Sequence, residues 1–368
     1  MPLIHKNLNE RAFEDHIKQA LTASGYRRRD PKNYSVESCM DEGMLFEFIY
    51  ATQPKEWEKL KQQHGEEVKA KFVYRLKQEI EKRGTLDVLR KGVSDYGSRF
   101  HLIYFTPESS LNPEHAVLYQ NNIFSLIRQV KFSRKDEKSL DTVIFINGLP
   151  ISTLEMKNYL TGQNVQDAIK QYRHDRDPRE PLFAFKRCLV HFAVDNDLVY
   201  MTTRLASKST FFLPFNKGLE NGAGNPVNPS GFKSAYLWEE VLQKESLLQI
   251  LAEFMLVSIE RSTDEEGNEK EKETLIFPRY HQLDAVRKMV SHTKENNAGH
   301  NYLIQHSAGS GKTKTISWLA HKLAGLHTLY NVKIFDTVVI VSDRRVIDKQ
   351  LRDEVLQFQQ VEGVVQAI

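Results

Sequence analysis

Asp141, Glu155 and Lys157 lie on either side of a short turn in the stretch SLDTVIFINGLPISTLEMKN, residues 139–158. Two carboxylates brought to one point repel each other unless a cation sits between them, and hard oxygen donors of this kind suit Mg²⁺. A lysine beside them can orient an attacking water and offset the charge of a phosphodiester. The same spacing also fits a plainer arrangement, in which Asp141 ends a strand and Glu155 and Lys157 are solvent-facing partners on an edge. A second constellation is HSAGSGKTKTISWLA, residues 306–320. It follows an apolar run and opens a helix, the setting in which backbone N–H groups of Gly309, Ser310 and Gly311 wrap phosphates. Lys312 would reach the β- and γ-phosphates, and the hydroxyl of Thr313 would hold Mg²⁺.

The elements that must position the first group form a hairpin. Val143–Ile146 and Ile151–Met156 read as strands around Asn147-Gly148, a strong turn signal. Glu155 and Lys157, two residues apart, project from one face. With a plain two-residue turn Asp141 opposes Leu154 and points away from Glu155; with a three-residue loop or a bulge it comes opposite Glu155. Upstream, Phe13, Ile17 and Leu21 share one face of a helix, and a Lys- and Glu-rich helical stretch runs from about Glu56 to Lys82. Short strands FHLIYF and CLVHFAV follow, then a long loop, NKGLENGAGNPVNPSG. The apolar periodicity of SLLQILAEFMLVSIE predicts a helix, and the charged run RSTDEEGNEKEKET, residues 261–274, reads as a linker. Beyond it, NYLIQH and FDTVVIVS read as buried strands each followed by a helix, the alternation that builds a parallel sheet. The expected class is α/β, with domains at 1–260 and 275–368.

Composition narrows the partners. With 40% hydrophobic and 27% charged residues, the 368-residue chain reads as soluble and globular rather than disordered or fibrous. No run approaches the roughly 18 apolar residues of a membrane helix, and MPLIHKNLNE lacks the apolar segment of a signal peptide, so a cytoplasmic location is expected. Cys39 and Cys188 are too far apart for a metal-ligand pair and read as buried reduced thiols. A net charge of +3 does not by itself indicate a nucleic-acid partner, but Arg27-Arg28-Arg29 and Arg173, Arg176 and Arg179 are local basic clusters.

The 139–158 stretch resembles the core of PD-(D/E)xK nucleases, a resemblance that makes Asp141 and Glu155 metal ligands and Lys157 catalytic. Together with LNPEHAVLYQNNIFSLIRQVKFS, LTGQNVQDAIKQYRHDRDPREPLF and STFFLPFNKG, it resembles the N-terminal part of the R subunit of type I restriction-modification enzymes. In that family a Gln-x-x-x-Tyr element follows the lysine; here Gln171 has Asp175 at the fourth position and Tyr172 adjacent, an altered form. An acid from the first helix often joins such sites, and Glu14 is the candidate. The loop Ala308–Thr313, A-G-S-G-K-T, resembles that of superfamily 2 helicases, with His306 at the consensus first glycine. FPRYHQLDAV resembles their glutamine motif, with Gln282 against adenine. VIVSDRRVIDKQL resembles motif Ia, with Arg344 and Arg345 against the DNA backbone. No acidic Walker B stretch follows, so the resemblance implies an N-terminal fragment carrying the start of a RecA-like lobe. It further implies ATP-driven translocation and Mg²⁺-dependent cleavage of double-stranded DNA, in assembly with methylation and specificity subunits. Two competing readings are a translocase whose N-terminal domain only binds DNA and a module that docks on a methyltransferase core.

Overall fold

The computed structural model describes residues 10–106, 113–220, 222–263, 267, 269–328, 330–342 and 351–356. The chain divides into two compact units, residues 1–255 and 256–368. The first unit begins with α1 (Glu10–Ala23), β1 (Arg27–Arg29), α2 (Glu42–Thr52), α3 (Pro54–His64), α4 (Val68–Arg83) and α5 (Thr85–Lys91). It continues with β2 (Val93–Asp95), β3 (Ser98–Phe100), α6 (Pro113–Gln120), β4 (Phe124–Lys131), β5 (Ser139–Ile146) and β6 (Leu149–Met156). The last elements are α7 (Val165–Asp175), β7 (Val190–Val194), β8 (Val199–Thr202), β9 (Leu213–Pro214) and α8 (Lys244–Gln249).

A seven-stranded mixed sheet, ordered β1-β4-β5-β6-β7-β8-β9, organises this unit. β1 runs parallel to β4, and β6 parallel to β7, the latter pair joined through α7; the other neighbours are antiparallel. β5 and β6 are the middle of the sheet and nearly every residue on them is buried, so both faces are covered. On one side α7 supplies Val165, Ala168, Ile169 and Tyr172, which pack with Ile127, Val143, Phe145 and Ala193. The apolar face of α1 is as expected: Phe13, Ile17 and Leu21 are buried, and Phe13 meets Trp238 edge-on at 5.9 Å. The Lys- and Glu-rich stretch is helical as α3 and α4, and both cysteines are free and buried, with burial pushing the Cys188 thiol up to about 12. FHLIYF contributes only Phe100 to a strand, whereas CLVHFAV supplies β7.

The second unit departs from expectation in two places. The run 261–274 is not irregular chain: β10 (Leu256–Thr263) and β11 (Glu269–Ile276) form an antiparallel ribbon that includes most of it. Its register sets Arg261 against Glu271 and Glu260 against Lys272, opposite charges directly across the strands, and the Arg261–Glu271 pair closes at 2.8 Å. Composition alone reads such a run as disordered because it buries little; cross-strand pairing supplies what the low hydrophobicity does not. The ribbon also ends the preceding helix early, since helical structure stops at Phe254 and Leu256 already belongs to β10. The second departure concerns NYLIQH and FDTVVIVS, which carry no strand among the described residues. Leu303 and Val341 are 90% and 87% exposed. A parallel strand is held by neighbours on its edges and helices on its faces, and among the described residues neither segment has a strand partner. Beyond the ribbon, the described residues include α9 (Tyr280–Asn296), α10 (Lys312–Ala324) and a helical segment at 351–356.

Candidate functional site

The β5–β6 hairpin decides whether the two carboxylates meet. Asn147 and Gly148 form the two-residue turn, with φ of 49° and 82°, between the pair Ile146 and Leu149. Asn147 is locked there: its amide donates to Leu102 O at 2.9 Å, and its side-chain oxygen accepts from Ile123 N at 2.6 Å. Gly148 has no room for a side chain, because an added Cβ would lie 2.3 Å from the carbonyl oxygen of Asp41. By itself this turn puts Asp141 opposite Leu154. The ladder, however, shifts by one residue between Ile144 and Phe145, so that Phe145 faces Pro150, Ile144 faces Ser152 and Thr142 faces Leu154. Continued by one residue, this register sets Asp141 across from Glu155. A bulge at Ile151 therefore turns both carboxylates to the same place.

The resulting pair is deeply placed. Glu155 is fully buried, and Asp141 and Lys157 are nearly so. Met156 N donates to Asp141 Oδ2 at 2.7 Å, while Lys157 N donates to Val194 O on β7 at 2.8 Å, which fixes the end of β6. Arg176, one residue beyond α7, donates from Nε to Glu155 Oε1 at 2.6 Å. The other carboxylate oxygen of Glu155, Oε2, is buried without a hydrogen-bond partner among the described residues. Burial, and then the neighbouring charge of Asp141, push the Glu155 carboxyl well above the usual range, against the pull of Arg176 and Lys157. Across Asp141 on the other side lies Gln129 of β4, since Arg128 pairs with Thr142 and Val130 with Leu140. Gln129 has φ of 51°, a left-handed conformation that costs a non-glycine residue energy and collects at functional positions.

Glu14 is not a surface glutamate. It is buried on α1 and its Oε2 accepts from Arg128 Nε at 3.2 Å and from the adjacent guanidinium nitrogen. Glu14, Asp141, Gln129 and Arg128 line one cleft of about 750 Å³ with Arg28 and Arg29 of β1. The structure thus brings Glu14, Asp141, Glu155 and Lys157 into one neighbourhood. Gln171 does not share their burial: it is half-buried on α7, and its neighbour Tyr172 is the residue that enters the core, meeting the Thr153 hydroxyl at 2.7 Å. The same hydroxyl meets His191 Nδ1 at 2.7 Å, and burial lowers the His191 imidazole to about 3. Arg176, Arg128 and Gln129 are the members of this neighbourhood that spacing did not single out. A basic cluster flagged Arg176 as charged, but burial against Glu155 comes from the fold.

In the second unit the loop before α10 is shaped by two glycines. Gly309 and Gly311 have φ of 71° and 83°, and α10 starts at Lys312. Lys312 Nζ turns back on its own loop, donating to His306 O at 3.0 Å and Ser307 O at 2.9 Å. Gln282, buried on α9, donates from its amide to Ser310 O and Gly311 O at 3.3 and 3.0 Å. Arg279 also donates to Gly309 O, at 2.8 Å, and His281 Nε2 meets Ser310 O at 3.0 Å, so the start of α9 is tied to the loop by four bonds. Thr313 lies in the first turn of α10. Arg344 and Arg345 lie outside the described residues.

Comparison with known proteins places this architecture. The model of the family described as type I restriction enzyme R protein N terminus matches residues 7–210, more than half of the chain. The chain belongs to this family. The matched segment contains Glu14, Asp141, Glu155, Lys157 and Gln171. The SWI2/SNF2 ATPase model matches residues 281–367, which contain the 306–313 loop. Among curated relatives, the putative type I restriction enzyme MjaVIIIP endonuclease subunit of Methanocaldococcus jannaschii is 27% identical over 65% of this chain and 22% of its own length. The type I restriction enzyme HindI endonuclease subunit of Haemophilus influenzae is 29% identical over 63% of this chain and 21% of its own length. The chain therefore spans about a fifth of either relative. Among the described residues no helix is long and apolar enough to cross a membrane.

Proposed function

We propose that the first unit is a PD-(D/E)xK nuclease domain and the second the start of a RecA-like ATPase lobe, within an endonuclease and translocase subunit of a type I restriction enzyme. Its substrate would be double-stranded DNA, its cofactors Mg²⁺ and ATP, and its partners the methylation and specificity subunits. The observation that carries the nuclease reading is the bulged register that sets Asp141 opposite Glu155, with Lys157 two residues on. Among the described residues no group of three or more His, Cys, Asp or Glu side chains is arranged as a metal cage. The donor set nevertheless fits a partly hydrated Mg²⁺: a buried carboxylate oxygen without a partner, a second carboxylate across the ladder, and room in the adjoining cleft. Asp141 and Glu155 would hold that ion, which supplies charge neutralisation at the phosphate and a more acidic bound water. Lys157 adds positive charge beside the carboxylates, where an incoming phosphodiester brings negative charge. Arg28, which lines the cleft, offers a donor to the DNA backbone, a contact that orients without reading sequence.

For the second unit the reading rests on the loop. Gly309, Ser310 and Gly311 would give backbone N–H groups to phosphate oxygens, Lys312 would leave its own carbonyls for the β- and γ-phosphates, and Thr313 would bind Mg²⁺. Gln282, bonded to the loop carbonyls, links a base-contacting helix to the phosphate cradle. The proposed boundaries are 1–260 and 275–368, joined by the charged ribbon. The test uses the complete subunit assembled with its methylation and specificity subunits. Lys157→Ala is expected to abolish DNA cleavage while ATP hydrolysis continues, and Lys312→Ala to remove both. Unchanged cleavage by Lys157→Ala would refute the nuclease site; normal cleavage by Lys312→Ala would refute the coupling of motor to nuclease.

A further inference from the structure

Arg176 is 3% exposed, yet it is a cation just past the end of a helix, where the nearby Arg173 is half-buried and Arg179 is exposed. Three contacts fix it. Nε donates to Glu155 Oε1 at 2.6 Å, a terminal nitrogen donates to Ser139 O at 2.8 Å, and the guanidinium lies 5.2 Å from the centre of the Phe132 ring. The side chain thus ties the end of α7 to the start of β5, where Asp141 is, and to the end of β6, where Glu155 is. Stability alone is a poor reason for this arrangement, because a buried ion pair is often no better than apolar residues of the same volume. It is poorer still when one carboxylate oxygen goes unsatisfied, since a half-paired buried polar group is costly. Glu155 Oε2 is that oxygen. The geometry is therefore better explained by what it does to the carboxylate: by engaging Oε1 alone, from the α7 side, the guanidinium fixes the rotation of the carboxyl and leaves Oε2 as the only coordinating atom.

We propose that Arg176 is a positioning residue for the nuclease centre, holding Glu155 by one oxygen so that the other is presented to a divalent cation shared with Asp141. This rests on the metal-site reading above. Partners that orient a metal ligand typically contribute about 10- to 100-fold to metal affinity. Mn²⁺ binding to this chain, followed by the loss of the free-ion electron paramagnetic resonance signal, measures that contribution. The site itself is defined by the difference between the unsubstituted chain and Asp141→Asn. Arg176→Gln is expected to raise the Mn²⁺ dissociation constant at this site by about 10- to 100-fold, with helical circular dichroism and cooperative melting retained. Arg176→Lys keeps the charge but cannot span Glu155 and Ser139 together, and is expected to give a smaller rise. In the assembled enzyme the Arg176→Lys cleavage rate should recover as Mn²⁺ is raised, with the KM for DNA unmoved. A purely structural arginine would lower the melting temperature and leave the dissociation constant alone; that outcome, or tighter Mn²⁺ binding by Arg176→Gln, overturns the proposal. Should Arg176→Gln fail to fold, Arg176→Lys decides, and an unchanged dissociation constant refutes it. If instead the unsubstituted chain and Asp141→Asn bind Mn²⁺ alike, the metal-site reading itself falls, and this one with it.

Discussion

The carboxylates of the β5–β6 hairpin and the glycines of the 306–313 loop, the two constellations on which the proposed function rests, are held very differently by the two units. The hairpin lies in the middle of a seven-stranded sheet, partners such as Arg176 and β7 come from later in the chain, and Glu155 is fully buried. The 306–313 loop is defined almost entirely by local backbone: two glycines at positive φ and the start of one helix, braced by four bonds from the start of α9 and its cap. In the same unit, apolar residues such as Leu303 and Val341 stay exposed. A site made from backbone N–H groups needs only a turn and a helix end, whereas a site made from paired acids needs a surrounding core that makes their burial tolerable.

The largest effect expected from this contrast is on cleavage. Asp141→Asn removes one of the two carboxylates proposed to hold the cation, and should lower cleavage by the assembled enzyme by at least about a hundredfold while leaving the ATPase intact. Measuring both rates on one preparation separates the sites; a parallel fall in ATP turnover would mean that they are not independent.

Next in size is the difference in stability between the units. Limited trypsin digestion of this chain should cut within residues 277–368 well before residues 10–255, because local opening follows the number of buried apolar contacts. Mass spectrometry of the early fragments checks this, and early loss of the first unit would reverse the comparison.

Glycine substitutions sharpen it at single residues. Gly148→Ala combines φ of 82° with a Cβ placed 2.3 Å from the Asp41 carbonyl oxygen. It should destabilise the first unit by about 2–3 kcal/mol in urea denaturation, through strain plus a backbone shift. Gly309→Ala has φ of 71° but nothing within 4 Å of the added carbon, so only the conformational cost of about 1 kcal/mol applies, confined to the second unit. Equal effects from the two would show that the hairpin is less tightly held than its packing implies.

A pH dependence of the first unit tests the packing beside the hairpin. Burial lowers His191 to about 3 from an ordinary value of 6.5. The unfolded chain therefore binds the extra proton at higher pH than the folded one. The stabilising contribution is complete above pH 6.5 and is lost as pH falls toward 3, at up to about 1.4 kcal/mol per pH unit. His191→Asn should flatten the acid limb of the urea midpoint against pH; an unchanged limb would mean that other groups carry it.

Several features were legible from residue order alone because their causes are local. The apolar spacing of Phe13, Ile17 and Leu21 identified the buried face of α1, Asn147-Gly148 identified the turn, and the glycines before Lys312 identified the loop. Local pattern failed where neighbours decide. The run 261–274 looked like a linker because hydrophobicity was low, but its charges alternate so that opposite signs meet across β10 and β11. NYLIQH and FDTVVIVS looked like buried strands because they are apolar, yet a strand needs an edge to pair with, and among the described residues they have none.

The amino-acid order by itself determined which acids and which lysine were available, that a hairpin carried them, and that a glycine-containing loop before a helix followed downstream. It left the meeting of Asp141 and Glu155 open, because a strand alternates faces with every residue and a slip of one moves a side chain to the opposite side of the sheet. The tertiary structure decided that point through the bulge at Ile151, and it decided the company of the acids as well. Arg176 reaches Glu155 from the far end of α7, and Arg128 and Glu14 come together from β4 and α1. Pairings of this kind depend on helices packing across a sheet, and contacts between residues far apart in the chain leave no periodic mark in the sequence.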